Sequence, residues 1–158
     1  MIHALKSRWT IGVVVALCVI LVALLDMAMS VTPFTDDETK QMESVLLANG
    51  IPTRGVRFKW LHGWRANYGV ERGLCASYRC FSHTVVIPRQ YKDIAFDPVL
   101  LPTIAHELTH AGQCKRDGLF TYNFYKIFKR HLLESEAENE EMRILETLTE
   151  GTRCHQLK

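Results

Sequence analysis

The stretch Ile104-Ala105-His106-Glu107-Leu108-Thr109-His110-Ala111-Gly112-Gln113 is the part of the chain around which the rest arranges itself. Residues four apart on a helix lie one above the other on the same face. Two imidazoles so placed, His106 and His110, can share one zinc ion. The glutamate between them, Glu107, is offset around the helix and reaches a water at the metal rather than the metal itself. By average residue usage this H-E-x-x-H pattern arises by chance in well under about one in a hundred chains of this length. The blander reading, two half-exposed histidines on a surface helix, sits less well with the apolar neighbours Ile104, Ala105, Leu108 and Ala111. The helix is signalled by its ends. Asp97-Pro98 places an N-cap before a proline at the first helical position, with Pro102 able to move the start by a turn, and Gly118 supplies a stop.

Two histidines do not complete a catalytic zinc site, which usually has three protein ligands and a water. The H-E-x-x-H-x-x-G-x-x-H extension fails here, because Gln113 and Arg116 stand where it needs Gly and His. The remaining ligand must come from elsewhere. A helix over about residues 132–149, with Leu133, Ala137, Ile144 and Leu148 at helical spacing, offers Glu134-Ser135-Glu136-Ala137-Glu138. Five of the eight residues from Glu134 to Glu141 are glutamate, so most of them are expected to be a solvated acidic face. Glu134 and Glu136 are the two contenders. They are separated by about 200° around a helix, so only one can face a metal.

HELTHAGQ followed by Glu-Ser-Glu-Ala-Glu resembles the gluzincins, the thermolysin-like zinc peptidases, and more closely their compact bacterial members with HELxHxxQ and then Glu-x-Glu-Ala. The resemblance covers about residues 84–148. It implies that Glu134, three residues before the alanine, is the third ligand, and that Glu138, just after it, orients a zinc-bound histidine. It also implies hydrolysis of peptide bonds by a zinc-bound water with Glu107 as general base. Tyr122, Tyr125 and His131 are candidates to stabilise the oxyanion, although aromatic residues on such a helix are more often core. Thr84 to Ile87 could be an edge strand that pairs with an extended peptide, or a plain core strand.

Outward from this segment, the N-terminal sequence decides where the chemistry takes place. Ile11 to Leu25 carries no charge, with Lys6 and Arg8 before it and Asp26, Asp36, Asp37 and Glu38 after it. With its flanks it is long enough to span a bilayer, and the positive-inside rule leaves the N-terminus cytoplasmic and the remainder outside. The rival is a cleaved signal peptide ending near Ala28-Met29-Ser30, which would make the protein secreted. Cys75, Cys80, Cys114 and Cys154 form an even set in the exported part. Of their three possible pairings, Cys75–Cys80 with Cys114–Cys154 is the one favoured here, free thiols being the alternative in a reducing compartment. The balance of 19 Lys+Arg against 17 Asp+Glu gives no basic excess for nucleic acid.

The other elements follow from pattern. Residues 37–48 read as a helix capped by Asp36 or Asp37 and stopped at Asn49-Gly50. Val56 to Trp60 alternates like a half-buried strand, Gly63 to Cys80 reads as a loop, and a helix is expected over Thr121 to Arg130. Trp60, Trp64 and Tyr68 are expected in a core rather than as a patch over a cleft. No spacing implicates His62, His83 or His155.

The expected fold class is α+β. Residues 1–30 form a cytoplasmic tip and transmembrane anchor. Residues 31–158 form a minimal zincin-like catalytic domain, in which a short sheet packs on the active-site helix and two further helices follow. The expected function is a membrane-anchored zinc metallopeptidase with Zn2+ on His106, His110 and Glu134, acting on a peptide or protein. The alternative is a membrane-associated binding or assembly protein that keeps zinc without catalysis, against which the retention of Glu107 argues. A module that binds no metal is a third.

Overall fold

The computed structural model describes residues 13–21 and 30–148. The chain divides between Val31 and Thr32 into two units. In the first, residues 13–21 are helical (α1), and Val13, Val15, Leu17 and Val19 are exposed. No helix among the described residues is long and apolar enough to cross a membrane. The flanks of the expected span, and with them its length, lie outside the described residues.

The second unit is mixed α and β. Its elements are β1 (Val31–Pro33), α2 (Asp36–Ala48), β2 (Arg57–Leu61), α3 (Gly63–Glu71), β3 (Ser77–Arg79), β4 (Thr84–Pro88), two 3-10 turns (Arg89–Ile94 and Pro98–Leu100), α4 (Leu101–Phe128) and α5 (Arg130–Thr147). The four strands form one sheet in the order β1-β2-β4-β3. β2 and β4 are parallel, with Phe58 opposite Val85 and Trp60 opposite Ile87. β3 is antiparallel to β4, with Tyr78 opposite Val85. Thr84 to Ile87 is therefore an interior strand, buried at every position, and the edges are β1 and β3. A strand buried on both faces reads as a near-continuous run of apolar and β-branched residues, and Thr-Val-Val-Ile is one.

Several local expectations are corrected. The cap of α2 is Thr35, not Asp36 or Asp37. Its hydroxyl accepts the Glu38 N–H while the Glu38 carboxylate accepts the Thr35 N–H, a reciprocal box that satisfies two N-terminal donors at once. The supposed loop from Gly63 to Cys80 contains α3 and β3. Trp60 is core, stacked on Phe34 with ring centroids 4.3 Å apart, but Trp64 and Tyr68 on α3 are exposed.

The disulfide pairing also differs. Cys80 is bonded to Cys114, with Cα atoms 5.9 Å apart, which excludes both Cys75–Cys80 and Cys114–Cys154. The fold brings the end of edge strand β3 against α4, so a pair distant in sequence wins over the short loop. Cys75 is disulfide-bonded as well.

α4 starts after the Pro98 turn and carries a break at Gly118, whose φ of 78° and ψ of 160° are not helical. That region is essentially open only to glycine. The core joins Met42 and Leu46 of α2, Val85 and Ile87 of β4, Leu101, Ile104 and Leu108 of α4, and Leu133 and Ile144 of α5. Burying one such side chain is worth about 1.5–3 kcal/mol. It is this packing that fixes α4 between the sheet and α5, with its polar residues turned to a cleft.

Candidate metal centre

His106 and His110 sit one turn apart on the first part of α4, their rings nearly perpendicular with centroids 4.9 Å apart. α5 brings Glu134 to them. Its Oε2 lies 3.3 Å from Nε2 of His106 and 3.7 Å from Nε2 of His110. One ligand atom from each residue can be chosen so that all lie within 4.8 Å of one another. Donors around a tetrahedral zinc with bonds of about 2.0–2.1 Å sit roughly 3.3 Å apart, so the distances from Glu134 to the two histidines suit the ion. Two neutral imidazoles and one carboxylate are also a donor set that zinc uses with a position left open. Glu136 faces elsewhere. It accepts from Arg116 and Gln113 and does not approach the histidines.

Each of these side chains is held from behind. Gln113 is fully buried, and its amide nitrogen donates to the Leu133 carbonyl (2.9 Å) and to Glu136 (3.1 Å). Those two acceptors fix which end of the amide is oxygen. Oε1 then accepts from Nδ1–H of His110 at 2.7 Å, which leaves the Nε2 lone pair free towards Glu134 and the metal position. Glu134 is oriented by Arg130, whose Nε donates to its Oε1 at 2.9 Å.

The residue expected to orient a histidine, Glu138, is exposed and makes no contact with either imidazole. Glu141 has that place, with Oε2 at 3.2 Å from Nδ1 of His106. The contact is close without the alignment of a full hydrogen bond. Position 141 lies two turns beyond Glu134, about 20° from it around the helix, whereas position 138 is about 40° away and only one turn along.

The charges follow from burial and neighbours. Desolvation by itself would lower the His106 pKa, but Glu141, Glu107 and Glu134 more than offset it and the value is raised. His110 is lowered, mainly by desolvation. In Glu134 the cost of desolvation is outweighed by Arg130 and the two histidines, and the carboxyl is held below its usual range. Glu107 behaves oppositely. Desolvation pushes it up to about 7, against the opposing pull of His106, the Tyr78 N–H and Lys126. Its Oε2 accepts the backbone N–H of Tyr78 on edge strand β3 at 2.6 Å.

The cleft consists of two adjoining hollows of about 140 and 200 Å³ that share Leu74, His106 and Glu107. One continues towards Ser77, Tyr122, Lys126 and Arg130, the other towards Gly73, Thr103 and Glu141. Of the three oxyanion candidates only Tyr122 lines it. Tyr122 is buried, and desolvation together with the Glu107 charge raises its pKa, so the phenol stays protonated. Tyr125 and His131 do not line the cleft. The sequence reading missed Lys126, Arg130, the tethering role of Gln113 and the edge-strand N–H. Only Gln113, one turn beyond His110, carried a signal in its spacing.

Compared with protein families, curated proteins and solved structures, the chain matches none.

Proposed function

We propose that the chain is a zinc-dependent peptidase held to a membrane by its N-terminal apolar run, with a minimal zincin-like domain on the far side. The observation that carries this is the convergence of His106, His110 and Glu134 with a separate carboxylate, Glu107, poised near neutrality beside them. A purely structural metal site has no use for that base. His106, His110 and Glu134 would hold the ion. Zinc there would polarise a substrate carbonyl and acidify a water.

The protein's own groups account for the rest. Glu107, with a pKa of about 7, accepts the attacking water's proton and later delivers it to the leaving amine. The Tyr78 N–H keeps its carboxylate aimed into the cleft. Tyr122, kept neutral, is placed to donate to the developing oxyanion. Edge strand β3 borders the site, its Tyr78 N–H held by Glu107, and the two adjoining hollows give an extended peptide room on both sides of the site. The Cys80–Cys114 bond supports placing this domain in an oxidising compartment, as the charge pattern around the apolar run also does.

The test is Glu107→Gln in the full chain in detergent. Zinc content is expected to stay near that of the parent while peptide hydrolysis falls by about 10²–10⁴-fold. Full activity in this variant refutes the peptidase mechanism.

A further inference from the structure

Beyond the break at Gly118, α4 presents a face that the core does not use. Phe120, Phe124, Ile127 and Phe128 follow the i, i+4, i+7, i+8 pattern and share one side of the helix. They are 88%, 51%, 72% and 68% exposed, and Leu132 at the start of α5 is exposed too. Tyr122, on the other side, is buried in the site. Exposed apolar residues scattered singly need no explanation, but three aromatic rings and an isoleucine on one stripe mark an interaction surface.

Within residues 118–133 the charge is of one sign, although Arg130 is partly offset by its ion pair with Glu134 at 2.9 Å. From Gly118 to Leu133 there is no Asp or Glu, while Lys126, Lys129 and Arg130 are all exposed. We propose that the face from Phe120 to Leu132 docks onto an anionic lipid bilayer, seating the rings at the headgroup boundary with the cations against the phosphates. Aromatic and aliphatic residues on one face with lysine and arginine beside them are the make-up of an interfacial helix. Its weak spot, that a short apolar face alone binds lipid marginally, is met by a second attachment. Here the inference rests on the anchoring proposed above, which holds the domain at high effective concentration near the surface. A second copy is a poorer occupant, because a two-fold contact through a patch without carboxylates sets cations against cations.

The consequence concerns the substrate. Lys126 and Arg130 belong both to this basic rim and to the lining of the cleft, so a docked bilayer lies beside the mouth of the site. The peptide bonds presented to Glu107 are then those of membrane-proximal segments rather than of freely diffusing proteins.

The experiment uses the full chain with Cys18→Ser, which removes the free thiol found among the described residues, reconstituted into phosphatidylcholine vesicles with or without phosphatidylglycerol. A nitroxide is attached at Phe124→Cys or, as a control, at the exposed Ser135→Cys, and collision with oxygen is compared with collision with an aqueous nickel complex. In phosphatidylglycerol vesicles the label at 124 is expected to be shielded from nickel and the label at 135 not. Adding Lys126→Gln and Lys129→Gln is expected to weaken docking about 30-fold, from about fivefold per cation. A chain that stays with the vesicles but shows nickel access at 124 equal to that at 135 overturns the docking and leaves the anchor standing. A chain that does not stay with vesicles of either kind overturns both. Spin–spin broadening between labels at 124, present without lipid and retained on vesicles, assigns the face to a second copy and overturns the proposal.

Discussion

At the scale of single residues, the site is a set of ligands each steered by a neighbour. Gln113 is the clearest case, because its three hydrogen bonds tie His110 on α4 to the Leu133 carbonyl and Glu136 on α5. Gln113→Ala removes the acceptor for Nδ1–H of His110 and leaves the Leu133 carbonyl without this donor. Zinc affinity, read by competition with a chelator, is expected to fall by about 10–100-fold. An unchanged affinity would show that His110 needs no orienting partner. His106 gives a pH prediction. Its raised pKa means that a proton must leave before a metal can bind, so affinity falls as pH drops and begins to fall at a higher pH than for an unperturbed imidazole. Glu141→Gln removes the nearest charge favouring the proton, and the midpoint of that fall is expected to move to lower pH. A midpoint that stays put or rises sinks the role given to Glu141. Most of this layer was illegible in the sequence. His106, Glu107 and His110 are local, four residues apart on one helix, and could be read directly. Glu141 was lost in a run of glutamates that looks uniform until the helix is set against its partner.

At the scale of elements, periodicity was a good guide and edges were not. The recurrence of Leu133, Ala137 and Ile144 marked the buried face of α5, and all three are buried. The break at Gly118 was legible because glycine alone tolerates its backbone. β3 and α3 were hidden in what read as a Gly- and aromatic-rich loop, since a three-residue strand is too short to show alternation. The order of strands was also hidden, because pairing joins residues far apart in the chain. The same applies to Cys80 and Cys114, which only the docking of β3 on α4 makes neighbours. The N-terminus of α2 carries a testable hub. Glu38 accepts from Thr35 N–H, from Trp60 Nε1 at 3.1 Å and from Lys92, whose Nζ is 2.9 Å away. Burial would raise its pKa, yet these partners bring it down to about 2. A depressed carboxylate contributes stability that is present above its unfolded value of 4.5 and lost as pH falls towards 2. Glu38→Gln is expected to lower stability at pH 7 by about 1–2 kcal/mol, and the gap from the parent should close over that acid window. Denaturant midpoints measured across pH check this, and a gap that persists unchanged at pH 2 contradicts it.

At the scale of the whole molecule, a mixed α+β domain was legible, since strand-like patterns come first and helical ones later. What sequence could not supply was the convergence of α4, α5 and edge strand β3 on one cleft. Each contributes something the others lack: α4 the histidines and Glu107, α5 the carboxylate and its neighbours, and β3 the N–H that aims the base. Composition alone does not separate Glu134 from Glu136, and it is the resemblance to the gluzincins that favoured Glu134. Packing of Ala137 and Leu133 inward is what turns Glu134 to the histidines and Glu136 to Arg116. The metal centre therefore depends on which of that pair faces the histidines. The most direct measurement is the zinc content of the purified full chain, set beside its Glu134→Gln and Glu136→Gln variants. About one zinc per chain is expected in the parent and in Glu136→Gln, with Glu134→Gln losing metal and hydrolysis together. A parent that neither retains nor takes up zinc, or a Glu136→Gln variant that loses it while Glu134→Gln does not, contradicts the assignment of the centre.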